Sequence, residues 1–213
     1  MNQDYFENER PEIVELVDSS AKVILDVGCG AGRLGARLKT LDSTRTIYGI
    51  EHNESAAAKA EQVLDRVFVG DVQTVDLPLQ NAQVDCMIFA DILEHLAHPE
   101  KALAKLRPLL RPDGFIIASI PNMRHYTVIL RLITTGWRYE EFGLFDKTHL
   151  RYFSRGTMGE LLSDAGFVPD IVAPRVVASK KMRILNFFLF GMLEEFLAMQ
   201  YIIKAHPRKS NED

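Results

Sequence analysis

Short apolar runs alternate with stretches of helical composition through the first half of the chain. The apolar runs lie at 23–28, 46–51, 67–71 and 84–91, and helix-like stretches lie among them at 33–41 and 55–64. Runs that are apolar at nearly every position predict strands that are buried on both faces. Strands and helices that alternate at this spacing indicate right-handed βαβ units, and therefore a parallel sheet covered by helices on both sides.

Capping and turn residues predict where some of these elements begin. Ser55 is the expected N-cap of the helix at 55–64, because a serine oxygen can accept a backbone N–H bond at a helix start. The sequence Pro-Asp-Gly at 112–114 predicts a turn, after which a strand begins at 115–120. Both predictions depend on local chemistry alone.

The regular alternation stops in the second half of the chain. A helix is predicted over 125–136, and an aperiodic stretch rich in aromatic residues follows it. We therefore predict a helical lid inserted at about 122–153. Two later strands are expected at 167–177 and 198–206, and together these elements predict a single domain over residues 1–213.

One apolar stretch, from Ile184 to Leu193, lies between the two late strands. A membrane-spanning helix needs about 20 apolar residues, so this stretch is too short to span a bilayer and we expect no stable membrane insertion. Lys180, Lys181 and Arg183 precede it, which leaves contact with a membrane surface open. The other two interpretations are packing on the core and contact within a homodimer.

Composition and charge narrow the class of protein. The chain has 213 residues, 25 Lys and Arg against 29 Asp and Glu, a formal net charge of −4 and 47% hydrophobic residues. These values are typical of a globular domain, and the acidic balance argues against a nucleic-acid partner. Two cysteines, Cys29 and Cys86, are too few for a disulfide framework, and the polar amino-terminal stretch does not resemble a signal peptide. We therefore expect a cytoplasmic protein.

The strongest motif is VILDVGCGAGRLG at 23–35, in which a strand runs into closely spaced glycines and then into a helix. Glycines there let the backbone approach a ligand, which the amides of the turn and of the helix start can bind. Gly28, Gly30 and Gly32 give the spacing G-x-G-x-G, which indicates a nucleotide-type cofactor. The dinucleotide fingerprint has its third glycine where Arg33 stands, which weakens the alternative of a nicotinamide-dependent enzyme without excluding it.

Several motifs in a fixed order give the chain a family resemblance. They are LDVGCGAG at 25–32, Glu51 in YGIEHN, Asp71 in VGDV, LEHL at 93–96 with Pro99, and the segment LRPDGFIIASIPN that ends at Asn122. In this order they resemble a class I S-adenosylmethionine-dependent methyltransferase over about residues 20–170. The resemblance implies a Rossmann-like, doubly wound α/β fold with seven mostly parallel strands, one of them antiparallel, and a helical lid. It also implies S-adenosylmethionine as the cofactor and S-adenosylhomocysteine as the product.

The residues that would bind this cofactor can be matched one by one. A carboxylate at a strand end, such as Glu51, can accept both ribose hydroxyls. Asp71 can accept a bond from the adenine amino group, and Asp26 suits the ammonium of the methionine part. We expect Cys29 to be a small filler, because no base that would make it a nucleophile is evident. The predicted cofactor-binding residues are Asp26, Gly28, Cys29, Gly30, Gly32, Glu51, His52, Asp71, Val72 and Ala90.

The acceptor side is predicted in the lid. Asp146, Thr148, His149, Leu150 and Arg151 resemble a D-x-T-H-L-R-x-F segment of methyltransferases from glycan and small-metabolite pathways, including relatives of ubiquinone O-methyltransferases. We predict His149 and Asp146 as the catalytic residues and His149 as the base, since a histidine pKa near 6.5 suits proton removal. A structural His149 is the alternative. Arg151 is expected either to hold an anionic acceptor or to form a surface salt bridge.

The predicted function is S-adenosylmethionine-dependent methyl transfer to a small-molecule acceptor, with a hydroxyl on a sugar-like or phenolic metabolite favoured. The alternatives are a NAD-dependent oxidoreductase and a catalytically silent protein that binds S-adenosylmethionine. No metal site is expected, because the pair His95 and His98 lacks the carboxylate and the third ligand that zinc needs.

Overall fold

The computed structural model describes residues 10–177 and 179–209, so most of the polar amino-terminal stretch lies outside it. Its strands are β1 Val23–Val27, β2 Thr46–Glu51, β3 Arg66–Val69, β4 Val84–Ala90, β5 Leu110–Pro121, β6 Phe167–Val176 and β7 Ala198–Pro207. Its helices are α1 Pro11–Val14, α2 Arg33–Leu41, α3 Glu54–Ala60, α4 Pro99–Leu106, α5 Tyr126–Thr134, α6 Arg155–Asp164, α7 Lys180–Phe188 and α8 Glu194–Leu197. Two 3-10 turns, Leu93–His95 and Arg107–Leu109, flank α4.

The strands form one seven-stranded sheet in the order β3-β2-β1-β4-β5-β7-β6. Strands β1 to β5 run parallel to one another, and β7 lies antiparallel between β5 and β6. The predicted fold class, a doubly wound and mostly parallel sheet with one antiparallel strand, is confirmed. The strand order reverses between β1 and β4, and open sheets of this kind bind ligands beyond the carboxyl ends of the strands at such a point.

Both faces of the sheet are covered, as the apolar runs predict. In β1, Ile24 packs into the core on one face, whereas Leu25 and Val27 pack into the core on the other. All three side chains are fully buried. Burying such a side chain contributes roughly 1.5–3 kcal/mol, so the strand that carries the glycine-rich loop is held firmly in place.

Helix α3 begins at a different cap from the predicted one. Its N-cap is Asn53 and not Ser55, because the Asn53 Oδ1 accepts a bond from the backbone N–H of Ala56 at 3.0 Å. Asparagine caps a helix as well as serine does, and the sequence offers both residues within one turn. The prediction of Ser55 is therefore wrong by two positions.

The turn predicted at 112–114 is also wrong, because it lies inside β5. Leu110 already pairs with Val84, and the next paired residue is Phe115, which lies opposite Cys86. The extra residues of β5 are accommodated by a shift of register between these two pairs. Residues 111–114 therefore have no partner in β4 and form an irregularity within the strand, and regular pairing resumes at Phe115.

The lid contains α5 and an irregular aromatic segment, as the sequence predicts. The ring of Trp137 packs edge-on against the rings of Phe145 and Tyr152, with a centroid distance of 5.0 Å in each case. Val128, Leu144 and Phe145 form a small hydrophobic core apart from the two that flank the sheet. The lid is therefore a packed structure and positions the residues that follow it.

The apolar stretch from Ile184 to Leu193 does not join the core. It occupies most of α7 and the turn after it, and α7 buries none of its side chains. Phe190, in the turn, is 97% exposed. The interpretation that this stretch packs on the core is therefore wrong. Within the described residues, no helix is both long and apolar enough to cross a membrane.

Candidate cofactor and acceptor site

The glycine-rich loop after β1 is folded as a ligand cradle. Gly28, Gly30 and Gly32 have φ angles of 75°, 54° and 79°, in the left-handed region that glycine adopts without strain. The amides of Gly28 and Cys29 donate to the Ile50 carbonyl at 2.8 and 3.0 Å, which folds the loop toward the end of β2. Helix α2 then begins without a side-chain cap, so its first amides can bind a ligand.

Glu51, at the end of β2, fixes this loop. Its Oε2 accepts from the Gly30 amide and its Oε1 from the Asn53 amide, both at 2.8 Å. The residue is only 7% exposed. A carboxylate has about four lone-pair positions, so capacity remains for the ribose hydroxyls that the family resemblance assigns to it, although His52 Nδ1 also lies 3.2 Å from Oε1. The His52 ring lies at the rim, with its side chain 77% exposed.

Asp26 lies buried beneath the glycine loop. The residue is 1% exposed, and its Oδ2 has no hydrogen-bond partner among the described residues. Burial, and next the charge of Glu51, raise the pKa of Asp26 from the ordinary value of 3.8 to about 7. An unsatisfied buried carboxylate beside a glycine cradle fits a ligand that carries a cation, such as the ammonium of S-adenosylmethionine.

The remaining predicted cofactor residues lie near the same edge of the sheet. Asp71 follows β3 on an exposed loop, where its Oδ1 accepts from the Gln73 amide at 2.8 Å, and Val72 beside it is buried. Ala90 is the last residue of β4. Cys29 is buried, and burial raises the pKa of its thiol, which fits a small filler rather than a nucleophile. The structure thus brings all ten predicted residues to the ends of β1 to β4.

A cavity of about 250 Å³ adjoins the cofactor cradle on the side of the lid. It is lined by residues from six parts of the chain: Arg10, Asp91, Glu94, Pro121, Gly143, Leu144, His149, Arg175, Met199 and Gln200. The loop and the cavity are neighbours, because a Cβ at Gly28 would lie 3.0 Å from the Cδ1 of Ile92, which follows Asp91. Arg175 and Gln200 gave no sequence signal, since β6 and β7 reach this cavity only through the order of the strands.

The lid segment that contains His149 is docked on the 3-10 turn after β4. The amides of Leu150 and Arg151 donate to the Glu94 carbonyl at 2.8 and 3.0 Å. The Arg151 guanidinium donates to the Ala97 carbonyl through Nε at 3.0 Å and Nη2 at 2.6 Å. Arg151 therefore bonds to a backbone carbonyl and forms no salt bridge with an acidic side chain of the described residues, and its role toward an anionic acceptor stays a prediction. It holds the lid against the turn.

Asp146 shapes the loop in front of His149. Its Oδ1 accepts from the Thr148 amide at 2.8 Å and from the Thr148 hydroxyl at 2.6 Å. Burial alone would raise the pKa of Asp146, but these hydrogen bonds from Thr148 lower it overall. The carboxylate thus remains ionised and fixes the segment that presents His149.

His149 is 8% exposed, and its Nδ1 has no partner among the described residues. Burial, followed by the neighbouring His95, lowers the pKa of His149. The two rings meet edge to face at a centroid distance of 4.7 Å. At neutral pH His149 is therefore an uncharged imidazole that lines the cavity, as a base must be.

Glu94, His95 and His149 form a cluster that the sequence did not predict. Each offers one ligand atom, and these atoms lie within 4.8 Å of one another, so the three could hold a metal ion. The Glu94 Oε2 is buried without a partner among the described residues, and burial, then Asp91, raise the pKa of Glu94. The sequence pairs His95 with His98, but the His98 ring contacts Glu100 at 3.1 Å. Glu94 supplies the carboxylate that this pair lacks, and His149 of the lid supplies the third group.

Comparisons with known proteins agree with this geometry. The sequence profile of a family described as a methyltransferase domain matches residues 2–170. A protein of Mycolicibacterium smegmatis named as a probable S-adenosylmethionine-dependent methyltransferase is 29% identical over 144 residues, which is 68% of this chain and 51% of that protein. The mitochondrial ubiquinone biosynthesis O-methyltransferase of Schizosaccharomyces pombe is 28% identical over 119 residues, which is 54% of this chain and 42% of that protein. The chain spans about half the length of the first curated relatives it matches.

Solved structures share the fold. An S-adenosylmethionine-dependent methyltransferase of Thermotoga maritima superposes with a TM-score of 0.68 at 20% identity, over 95% of this chain and 89% of that one. A Burkholderia thailandensis 1,6-didemethyltoxoflavin N1-methyltransferase with bound S-adenosylhomocysteine gives a TM-score of 0.62 at 20% identity, over 94% of this chain and 78% of that one. Because the family profile covers most of the chain and the predicted fold is present, the chain belongs to the methyltransferase domain family, of the S-adenosylmethionine-dependent kind.

Proposed function

We propose that the chain transfers the methyl group of S-adenosylmethionine to a hydroxyl oxygen of a small-molecule acceptor, with a sugar-like or phenolic acceptor favoured. The observation that carries this proposal is the buried, uncharged His149, whose Nδ1 lacks a partner among the described residues and which lines the cavity beside the cofactor cradle. An oxygen acceptor must lose its proton during transfer, so a base at this position serves a hydroxyl better than it serves an amine.

Each part of the site has a role in this reaction. The cofactor supplies an electrophilic methyl group on a sulfonium centre. The glycine loop, Asp26 and Glu51 hold the cofactor, and the cavity places the acceptor in line with the methyl group, which is the main task in a direct displacement. His149 Nδ1 accepts the hydroxyl proton as the acceptor oxygen bonds to the methyl carbon; the sulfur–methyl bond breaks at the same time, and S-adenosylhomocysteine leaves with its electron pair. Asp146 keeps the His149 segment in position through Thr148.

The relatives support a hydroxyl acceptor only by analogy. The S. pombe relative is named for O-methylation in ubiquinone biosynthesis, whereas the B. thailandensis neighbour is named for transfer to a nitrogen. The fold therefore serves both kinds of acceptor, and the choice between them depends on the cavity. A broad screen of hydroxyl and amine acceptors, read out by release of S-adenosylhomocysteine, tests the proposal at its coarsest level.

The sharper test is the substitution His149→Asn. Turnover on the accepted hydroxyl should fall by about 10²–10⁴-fold, the usual contribution of a positioned base. Affinity for S-adenosylhomocysteine should stay unchanged, because the cofactor residues lie at other strand ends. His98→Asn is the matched control, since its side chain is 49% exposed and contacts Glu100. Near-normal turnover of His149→Asn would remove His149 as the base.

The cluster of Glu94, His95 and His149 favours a second mechanism for the same reaction. A divalent ion bound there by a carboxylate and two imidazoles would lower the pKa of a coordinated acceptor hydroxyl and replace the base. Chelation distinguishes the two mechanisms. If His149 is the base, turnover survives dialysis against a chelator and Glu94→Gln has a modest effect. If an ion acts, chelation and Glu94→Gln both abolish turnover, and added Zn²⁺ or Mn²⁺ restores only the wild-type protein.

A further inference from the structure

Residues 179–193, which comprise α7 and the turn after it, form a protruding segment that we term the aromatic arm. Helix α7 buries none of its side chains. Four large apolar side chains near its tip are mostly exposed: Phe187 at 77%, Phe188 at 70%, Phe190 at 97% and Met192 at 76%. Contiguous apolar exposure of this kind marks a surface that binds something.

The tip of the arm is an ordered turn. Phe190 has a φ of 52°, in the left-handed region that bulky residues rarely adopt, and Gly191 follows with 82°. Asn186 closes the turn, because its carbonyl accepts from the Gly191 amide and its side-chain oxygen from the Leu193 amide, both at 2.9 Å. The backbone thus holds Phe190 outward. This strained and closed geometry presents the aromatic side chains at a fixed place.

Charge on the arm has a single sign. Lys180, Lys181 and Arg183 are exposed, and residues 179–193 contain no Asp or Glu. The arm therefore carries three positive charges on a chain whose formal net charge is −4. Cations at the start of a helix also oppose its dipole, so they do not serve to stabilise α7 itself. Their arrangement complements an anionic surface.

We propose that the aromatic arm binds the surface of an anionic lipid bilayer. Phe187, Phe188 and Phe190 would enter the interface while the three cations stay at the level of the head groups, as basic residues next to an apolar tip do. A helix of nine residues is about 14 Å long, so the arm can enter one leaflet surface and cannot cross the bilayer.

A second copy of the chain fits this surface less well. A symmetric dimer contact places the same patch on both sides. Two arms would therefore bring six cations together, and neither arm contains an acidic residue that could pair with them. A bilayer that contains anionic lipids supplies the opposite charge and the apolar medium at once. Glu194 and Glu195 follow the arm directly, but Glu195 already pairs with Arg124 at 2.8 Å. The excess of positive charge on the arm therefore favours a bilayer over a second copy.

The arm is connected to the acceptor cavity through its two ends. It leaves the sheet at the end of β6 and, through α8, returns at the start of β7, and Arg175, Met199 and Gln200 at these strand ends line the cavity. The Asn122 side-chain amide donates to the Ala198 carbonyl at 2.8 Å, which anchors the returning chain. If the proposed function holds, a bilayer at the arm would lie near the cavity, and the acceptor would be an amphiphile whose hydroxyl reaches the site from the lipid surface.

The experiment is co-sedimentation of the full chain with vesicles of phosphatidylcholine alone and of phosphatidylcholine mixed equally with phosphatidylglycerol. The protein is expected to bind the mixed vesicles, and added salt should weaken this binding. Each Lys or Arg near an anionic surface changes partitioning by roughly fivefold, so replacing Lys180, Lys181 and Arg183 by Gln should weaken binding on the order of a hundredfold. The double variant Phe187→Ser, Phe190→Ser should also lose binding.

Leu41→Ser is the matched control, because Leu41 is a 53% exposed apolar residue at the far end of α2, and it should bind as the wild type does. A thermal shift with S-adenosylhomocysteine confirms that every variant is folded. Absence of binding to mixed vesicles overturns the proposal. So does a second outcome, in which ultracentrifugation shows a dimer that the Phe variant dissociates and the wild type does not bind vesicles. Vesicle binding does not depend on turnover. A failed acceptor screen alone would therefore refute the proposed function without affecting the proposal that the arm binds a bilayer.

Discussion

Replacing Asp26 by asparagine removes a buried carboxylate whose pKa is raised from 3.8 to about 7. A raised carboxyl pKa means that the folded state binds the proton more tightly than the unfolded chain does. The contribution of this proton binding to the free energy of unfolding is fully present below pH 4 and is lost as the pH rises to about 7. A shift of about 3 pKa units at about 1.36 kcal/mol each gives a loss of about 4 kcal/mol.

The Asp26→Asn variant lacks this ionisation. Without ligand, its free energy of unfolding should therefore exceed that of the wild type at pH 8 by up to about 4 kcal/mol, and the difference should vanish near pH 4. Urea or thermal unfolding at a series of pH values measures it. Asp113→Asn is the matched control, because the Asp113 side chain is 83% exposed, and it should leave the pH dependence unchanged.

The affinity for the cofactor should depend on pH in the opposite sense to the stability of the protein. If Asp26 binds the ammonium of the ligand, as the resemblance implies, the contact needs the ionised carboxylate. The affinity of the wild type for S-adenosylhomocysteine should then increase as the pH rises to about 7 and level off above it. In Asp26→Asn the affinity should be lower by about 1.5–3 kcal/mol, as for a lost hydrogen bond to a charged group. Calorimetry at pH 6 and pH 8 measures both effects. A variant that is no more stable than the wild type at pH 8, or that binds equally well, would refute the buried-charge argument.

Three further outcomes are expected. Glu51→Ala should weaken cofactor binding by about 1.5–3 kcal/mol in calorimetry and speed hydrogen exchange at the Gly30 amide, which Glu51 holds at 2.8 Å; unchanged exchange would contradict the role in the loop. Gly32→Ala should lower stability by about 1–2 kcal/mol in urea unfolding, because its φ of 79° is unfavourable for alanine and its Cβ would lie 2.8 Å from Val63 Cγ2. S-adenosylhomocysteine at 100 times its dissociation constant should stabilise the protein by about 2.7 kcal/mol in thermal melts, and NADH should have no effect; the reverse result would favour the oxidoreductase.

Local sequence predicted the elements around the candidate cofactor site well, because they are consecutive strand, loop and helix units. The run at 33–41 and the run at 46–51 coincide with α2 and β2 residue by residue. In such units the glycines and the strand-end carboxylates occupy their places as soon as the strands pair. The positions of Glu51 and Asp26 at strand ends could therefore be predicted without any knowledge of tertiary contacts, and their roles toward the cofactor stay predictions.

The acceptor half depends on contacts that no local pattern encodes. His95 and His149 are 54 positions apart in the sequence, and they meet because Leu150 and Arg151 bond to the Glu94 carbonyl. The same limit applies to the stretch from Ile184 to Leu193. Its composition suits a buried helix as well as an exposed one, and only the path of β6 and β7 leaves it outside the core.

The position of β7 between β5 and β6 sets an order of assembly during synthesis. Within the described sheet β6 pairs only with β7, so it has no hydrogen-bonding neighbour until residues 198–207 have left the ribosome. Strands β1 to β5 have no such dependence, since each pairs with a strand among the first five. The cofactor cradle can therefore form on a nascent chain, whereas the cavity, which needs Arg175 and Gln200, is completed only after β7 inserts.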